Sequence, residues 1–114
     1  MFRQADIVTI HLILSRRTVG LVGAAELALM KPTARLINTS RGPIVDQAAL
    51  IEALQARRIA GAALDEPLPA DHPFRRLDNV LATPHIGYVT EELYRTFYGD
   101  AAASIAAWLE SNAA

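Results

Sequence analysis

Residues 6–14, DIVTIHLIL, form one dense run of β-branched and leucine side chains broken by a single histidine. The apolar positions are continuous rather than alternating, which suits a strand buried on both faces, as inside a parallel sheet. Parallel strands need crossover connections of a dozen residues or more, usually helical. The rest of the chain offers them in order. SRRTVGLVG reads as a loop, AAELALM (24–30) as a short helix stopped at Lys31-Pro32, and ARLINTS (34–40) as a second buried strand. Asp46 is placed to cap a helix over Gln47–Arg58, on which Ala49, Leu50, Ala53, Leu54 and Arg57 recur at helical spacing. RIAGAALD (58–65) is a third strand, with small residues where a neighbouring helix has room to approach.

EPLPADHPF (66–74) is a proline-punctuated loop, and NVLATPHIG (79–87) holds a fourth short strand ending at Thr83-Pro84. From Thr90 onward the chain supports one long helix, or two separated near Gly99, with Leu93, Phe97, Ile105 and Trp108 on a common packing face. Strand, helix, strand, helix, strand, loop, strand, helix is the order of an α/β fold. With right-handed crossovers it becomes a Rossmann-like, predominantly parallel sheet of about four strands with flanking helices.

The chain has 114 residues, enough for one compact domain. A formal charge of −1 argues against nucleic acid or an anionic membrane as partner. There is no cysteine, so disulfides and thiolate metal sites drop out. The three histidines are scattered, so no metal site is expected. Neither a signal peptide nor a membrane-spanning run is visible, and a soluble cytoplasmic protein is the expectation.

Ligands of open parallel sheets bind beyond the carboxyl ends of the strands, and Arg41, Asp65 and His85 all lie at or just past such ends. A guanidinium is a fixed fork of donors suited to a carboxylate, although an arginine in such a place more often serves a solvated face or a salt bridge. His85 is able to exchange a proton near neutral pH, and a carboxylate such as Glu66 would orient it; the plainer alternative is a hydrogen bond within a loop. His11, inside an apolar run, ordinarily packs or satisfies the backbone, and His72 sits in a polar loop. No G-x-G-x-x-G occurs, and the GLVG of residues 20–23 is not a phosphate-binding turn.

Taken together, LINTSRG, EALQARRIAGAALD, EPLP and NVLATPHIG resemble, in this order, the later half of the nucleotide-binding domain of the D-isomer-specific 2-hydroxyacid dehydrogenases. The likeness runs over roughly residues 5–110 and implies a partial NAD-binding domain. It also implies hydride transfer between NAD(H) and a D-2-hydroxy or 2-keto acid. By motif, Arg41 matches the arginine that binds the substrate carboxylate, His85 the general acid/base and Glu66 the carboxylate paired with that histidine. Asp65 matches the aspartate near the nicotinamide amide; His11, Thr39, Ser40, Arg41, His85, Gly87 and Tyr88 would line the cofactor.

Three positions depart from the family pattern. Asp65 and Glu66 are adjacent where the family commonly has several residues between them, which either moves Glu66 away from His85 or moves Asp65 off the cofactor. Ile13 replaces a usual proline, and Tyr88 stands where a small residue is usual. The glycine-rich half of the nucleotide domain and the substrate domain are not represented. The isolated chain is therefore expected to be inactive and to expose the edge Asp6–Leu14 to a homodimer mate or a missing partner chain. Two further readings stay open, a noncatalytic oligomerising remnant and one half of a split dehydrogenase.

Overall fold

A computed structural model describes residues 1–112. Four strands, β1 (Ile7–Ile10), β2 (Arg35–Asn38), β3 (Gly61–Asp65) and β4 (Val80–Thr83), make one sheet in the order β1-β2-β3-β4. All three pairings are parallel. The helices are α1 (Ala24–Ala28), α2 (Gln47–Gln55) and α3 (Glu91–Ser111). The α/β architecture is thus the expected one, a four-stranded parallel sheet of Rossmann type.

The strands are shorter than their apolar runs. β1 ends at Ile10 because β2 ends at Asn38, its partner in the register, so residues 11–14 have no neighbouring strand to bond and Ile13 is 88% exposed. α2 stops at Gln55, and Arg57 turns the chain in the left-handed region at φ 54°. The helix caps match their sequence signals. The Asp46 carboxylate accepts from the Ala49 amide, and the Thr90 hydroxyl from the Leu93 amide. α3 is one helix through Gly99.

The two helical crossovers are right-handed by rule, which brings α1 and α2 to the same face of the sheet. There Val8, Ile10, Leu36 and Leu64 meet Leu27, Leu50, Ala53 and Leu54 in the core. The expectation of strands buried on both faces is corrected on the other side. The row Thr9–Ile37–Ala63–Leu81 crosses the sheet in register with no helix over it; Ile7 is 60% and Leu81 66% exposed. Continuous apolarity marks residues able to be covered on both faces, and only one set finds a cover among the described residues.

Two further expectations change. At Gly61 the close neighbour is the backbone of the turn before β4 rather than a helix, since a β-carbon there would lie 2.6 Å from the Asn79 carbonyl oxygen. α3 buries none of its side chains, so Leu93, Phe97, Ile105 and Trp108 are exposed instead of forming a packing face. The helix projects from the sheet. The radius of gyration is 18.9 Å, against about 13 Å for a compact chain of this length. The loop after β3 is held by Phe74, fully buried within a short 3-10 turn, Pro73–Arg76. No helix is long and apolar enough to cross a membrane among the described residues.

Candidate functional site

Parallel strands end on one edge, and here that edge gathers the segments 11–14, 39–41, 65–66 and 83–88. Two of the cavities that open along it bear on the site. Thr39, Asp65, His85, Gly87 and Tyr88 line one of about 360 Å³, near the lower end of the roughly 300–1,000 Å³ usual for small-molecule sites. His11, Ile13, Ser40 and Arg41 are among the residues lining the other, of about 520 Å³.

The turn after β2 divides the two cavities, and its shape comes from Asn38. This residue is buried at the strand end; its amide nitrogen donates to the Arg41 carbonyl (2.9 Å) and its side-chain oxygen accepts from the Ser40 amide (3.0 Å). The Ser40 hydroxyl donates to the Ile10 carbonyl at 2.8 Å and ties the turn to β1. Sequence reasoning passed over Asn38, although an amide side chain closing an apolar strand was a readable signal. Arg41 itself is exposed, and one of its guanidinium nitrogens donates to the Ser40 carbonyl (2.7 Å). Among the described residues it pairs with no carboxylate. His11 is exposed, its ring Nε2 2.9 Å from the Thr9 hydroxyl.

Asp65 and His85 come together. The Asp65 carboxylate is buried and accepts from the Thr83 hydroxyl (2.6 Å) and the Ile86 and Gly87 amides (2.8 Å each). Burial pushes its pKa up, but the hydrogen bonds from Thr83, Gly87 and Ile86 and the positive charge of His85 outweigh this and hold it below the ordinary value. His85 adopts a left-handed backbone at φ 60° and meets the Tyr88 ring edge-on, centroids 5.9 Å apart.

Glu66 is not brought to His85. Successive residues at a strand end point to opposite faces. With the two acids adjacent, Asp65 takes the His85 side and Glu66 turns away. Its carboxylate lies against Gly42, where a β-carbon would collide with it, and accepts long hydrogen bonds of 3.3 and 3.4 Å from the Gln47 amide. Burial raises the Glu66 pKa, against the lowering effect of His72 and Gln47. The folded state therefore holds this proton more tightly than the unfolded one. Stability falls as pH rises from the ordinary 4.5 through the raised value, and the penalty is complete above it. Glu66→Gln keeps an oxygen for Gln47 and removes the half-buried charge. The variant is expected to melt higher than the parent at neutral pH, with the gap closing on acidification below 4.5; equal melting temperatures at pH 7 would refute this.

The glycines of residues 20–23 form no anion cradle. The Gly20 amide donates to the Pro43 carbonyl (2.9 Å) and the Gly23 amide to the Glu26 carboxylate (3.0 Å). At the strand ends, by contrast, a hydroxyl, an imidazole and an aromatic ring line one cavity and a guanidinium the next, a set suited to a small, flat polar group beside a carboxylate.

Known proteins are similar to this chain in sequence and fold. A family profile described as "D-isomer specific 2-hydroxyacid dehydrogenase, NAD binding domain" matches residues 1–87. A glyoxylate reductase from Thermofilum pendens is 49% identical over 96 residues, 81% of this chain and 28% of the relative. Among solved structures, a putative D-3-phosphoglycerate dehydrogenase from Ralstonia solanacearum superposes with a TM-score of 0.87 at 38% identity, over 97% of this chain and 34% of that one. A D-isomer-specific 2-hydroxyacid dehydrogenase from Lactobacillus delbrueckii ssp. bulgaricus, solved with NAD, gives 0.75 at 38% identity, over 82% of this chain and 34% of its own. The chain spans between 17% and 33% of the length of the curated relatives it matches.

Proposed function

The chain belongs to the D-isomer-specific 2-hydroxyacid dehydrogenases, through their NAD-binding domain, and from that premise we propose that it supplies the proton-transfer and carboxylate-binding groups of an NAD(H)-linked hydride transfer between a D-2-hydroxy acid and its 2-keto acid. The observation that carries this reading is the meeting of Asp65, His85 and Thr39 around one cavity beside the Arg41 cavity, at the carboxyl ends of consecutive parallel strands.

Thr39, Asp65, His85, Gly87 and Tyr88 would hold the nicotinamide end of the cofactor, and NAD(H) when bound supplies or accepts the hydride. Arg41 binds the substrate carboxylate with the guanidinium donors that Ser40 leaves free. Protonated His85 donates to the carbonyl oxygen during reduction, and neutral His85 takes the hydroxyl proton during oxidation. Glu66, turned toward Gln47, does not orient the imidazole in this geometry.

In this reading the 114 residues act as part of a larger catalytic unit, completed by a polypeptide that brings a glycine-rich phosphate turn and a substrate domain. The uncovered sheet row and the edge around Asp6–Leu14 support docking to such a chain or to a second copy of this one. The chain alone is expected to show no micromolar binding of NADH by isothermal titration. Addition of a relative's glycine-rich and substrate-domain segments is expected to form a stable complex that oxidises NADH with glyoxylate or a longer 2-keto acid. NADH binding by the isolated chain would overturn the need for completion, and a well-formed complex without turnover would overturn the hydride transfer. Sedimentation velocity on the chain alone separates the docking modes, because a monodisperse monomer with ordered β1 would exclude self-association.

A further inference from the structure

We propose that Asp65, with Thr83, is the positioning residue for His85, acting through the backbone of the turn that follows β4. The proposal rests on the reading of His85 as the proton carrier and extends it to how that side chain is aimed.

Asp65 and Thr83 are paired residues in the β3–β4 register, each the last of its strand, so their side chains meet across the sheet edge. The Thr83 hydroxyl donates to one carboxylate oxygen at 2.6 Å. The Ile86 amide donates to the same oxygen and the Gly87 amide to the other, both at 2.8 Å. Two successive amides converge on one anion where the residue before them turns the chain, and His85 does so with φ 60°. Consecutive inward N–H groups of this kind make an anion-binding nest. Here the anion is the protein's own carboxylate. The clamp thus stabilises a left-handed conformation that a histidine rarely takes, and that conformation aims the imidazole at Tyr88 and the cavity.

Gly87 belongs to the same device, because a β-carbon there would lie 2.8 Å from the Asp65 oxygen. The neighbouring acid is excluded, since Glu66 faces Gly42 and Gln47. His85 is the charged group that acts on the Asp65 carboxylate. The carboxylate is held below its ordinary pKa of 3.8 despite its burial, so the clamp stays ionised at neutral pH.

NMR on the whole isotope-labelled chain tests this. In the parent, the Ile86 and Gly87 amide protons are expected to shift together with one protonation whose midpoint lies below 3.8, and the His85 and Tyr88 rings to give mutual cross-relaxation peaks. Thr83→Val is expected to move both amide midpoints up and to weaken the ring–ring peaks. Thr83→Ser is expected to restore both, which a general loss of packing would not. Amides that ignore carboxylate titration, or a folded Thr83→Val variant with unchanged amides and ring peaks, would overturn the proposal. If Thr83→Val fails to fold, the parent titration decides. None of these readouts needs turnover, so loss of the clamp and failure of hydride transfer are separately visible.

Discussion

His85→Asn is expected to lower the turnover of the completed dehydrogenase by about 10²- to 10⁴-fold, the usual contribution of a positioned general acid or base. Asparagine is the informative replacement because position 85 has φ 60°, a region asparagine tolerates better than most residues. The backbone turn and its amides on Asp65 are thereby kept while the titrating ring is removed. Alanine would mix the loss of a proton carrier with relaxation of a left-handed turn. The drop is expected in kcat, with little change in KM for the keto acid, since carboxylate binding is assigned to Arg41. Arg41→Lys, which keeps charge and loses the fork, should show the opposite emphasis. A His85→Asn enzyme within a few-fold of the parent would remove His85 from the chemistry.

The largest stability effect is expected outside the sheet. Phe74→Ala should cost about 3–5 kcal/mol in urea unfolding, out of the roughly 5–15 kcal/mol that holds a domain of this size together. Phe74 is 1% exposed and one of the largest fully buried side chains, yet it belongs to the loop joining β3 to β4. Its short 3-10 turn is supported by neighbours: His72 accepts the Phe74 amide through Nδ1 (3.3 Å) and lies ring to ring with it at 4.8 Å. Removing the phenyl group leaves a cavity beneath that turn and frees the segment that starts at Glu66. A loss below about 1 kcal/mol would show that the loop repacks and does not rest on this side chain.

The order of elements was readable because each carries a local signal. Apolar runs mark the strands, Asp46 and Thr90 cap their helices, and Pro32 and Pro84 interrupt continuation. The position of Arg41, Asp65 and His85 along one edge followed from parallel topology alone. What escaped depends on contacts distant in sequence. A run such as DIVTIHLIL says that both faces tolerate burial, not that a cover is present, and so Ile7 was expected inside. Leu93, Phe97, Ile105 and Trp108 show helical spacing whether or not anything packs on them. Glu66 was matched to His85 by motif order, and the adjacency of the two acids already marked the first of two possible displacements; only strand geometry says which acid turns away. Thr83, Asn38 and Phe74 escaped for a related reason. Each looks ordinary in its own stretch, and its role appears only with the partner that folding brings to it.

The projection of α3 also has a thermodynamic consequence. With none of its side chains buried, its 21 residues owe their helicity to local terms: the Thr90 cap, the Arg95–Glu91 pair and an alanine-rich stretch. Such a helix is marginal by itself in water. Its opening is therefore uncoupled from the melting of the β1–β4 core, and the chain holds two cooperative units rather than one. Amide exchange in α3 would follow a shallow local equilibrium while the sheet keeps the protection of global unfolding. Anything that settles on the helix then contributes twice, through its own contacts and by joining the two units into one transition.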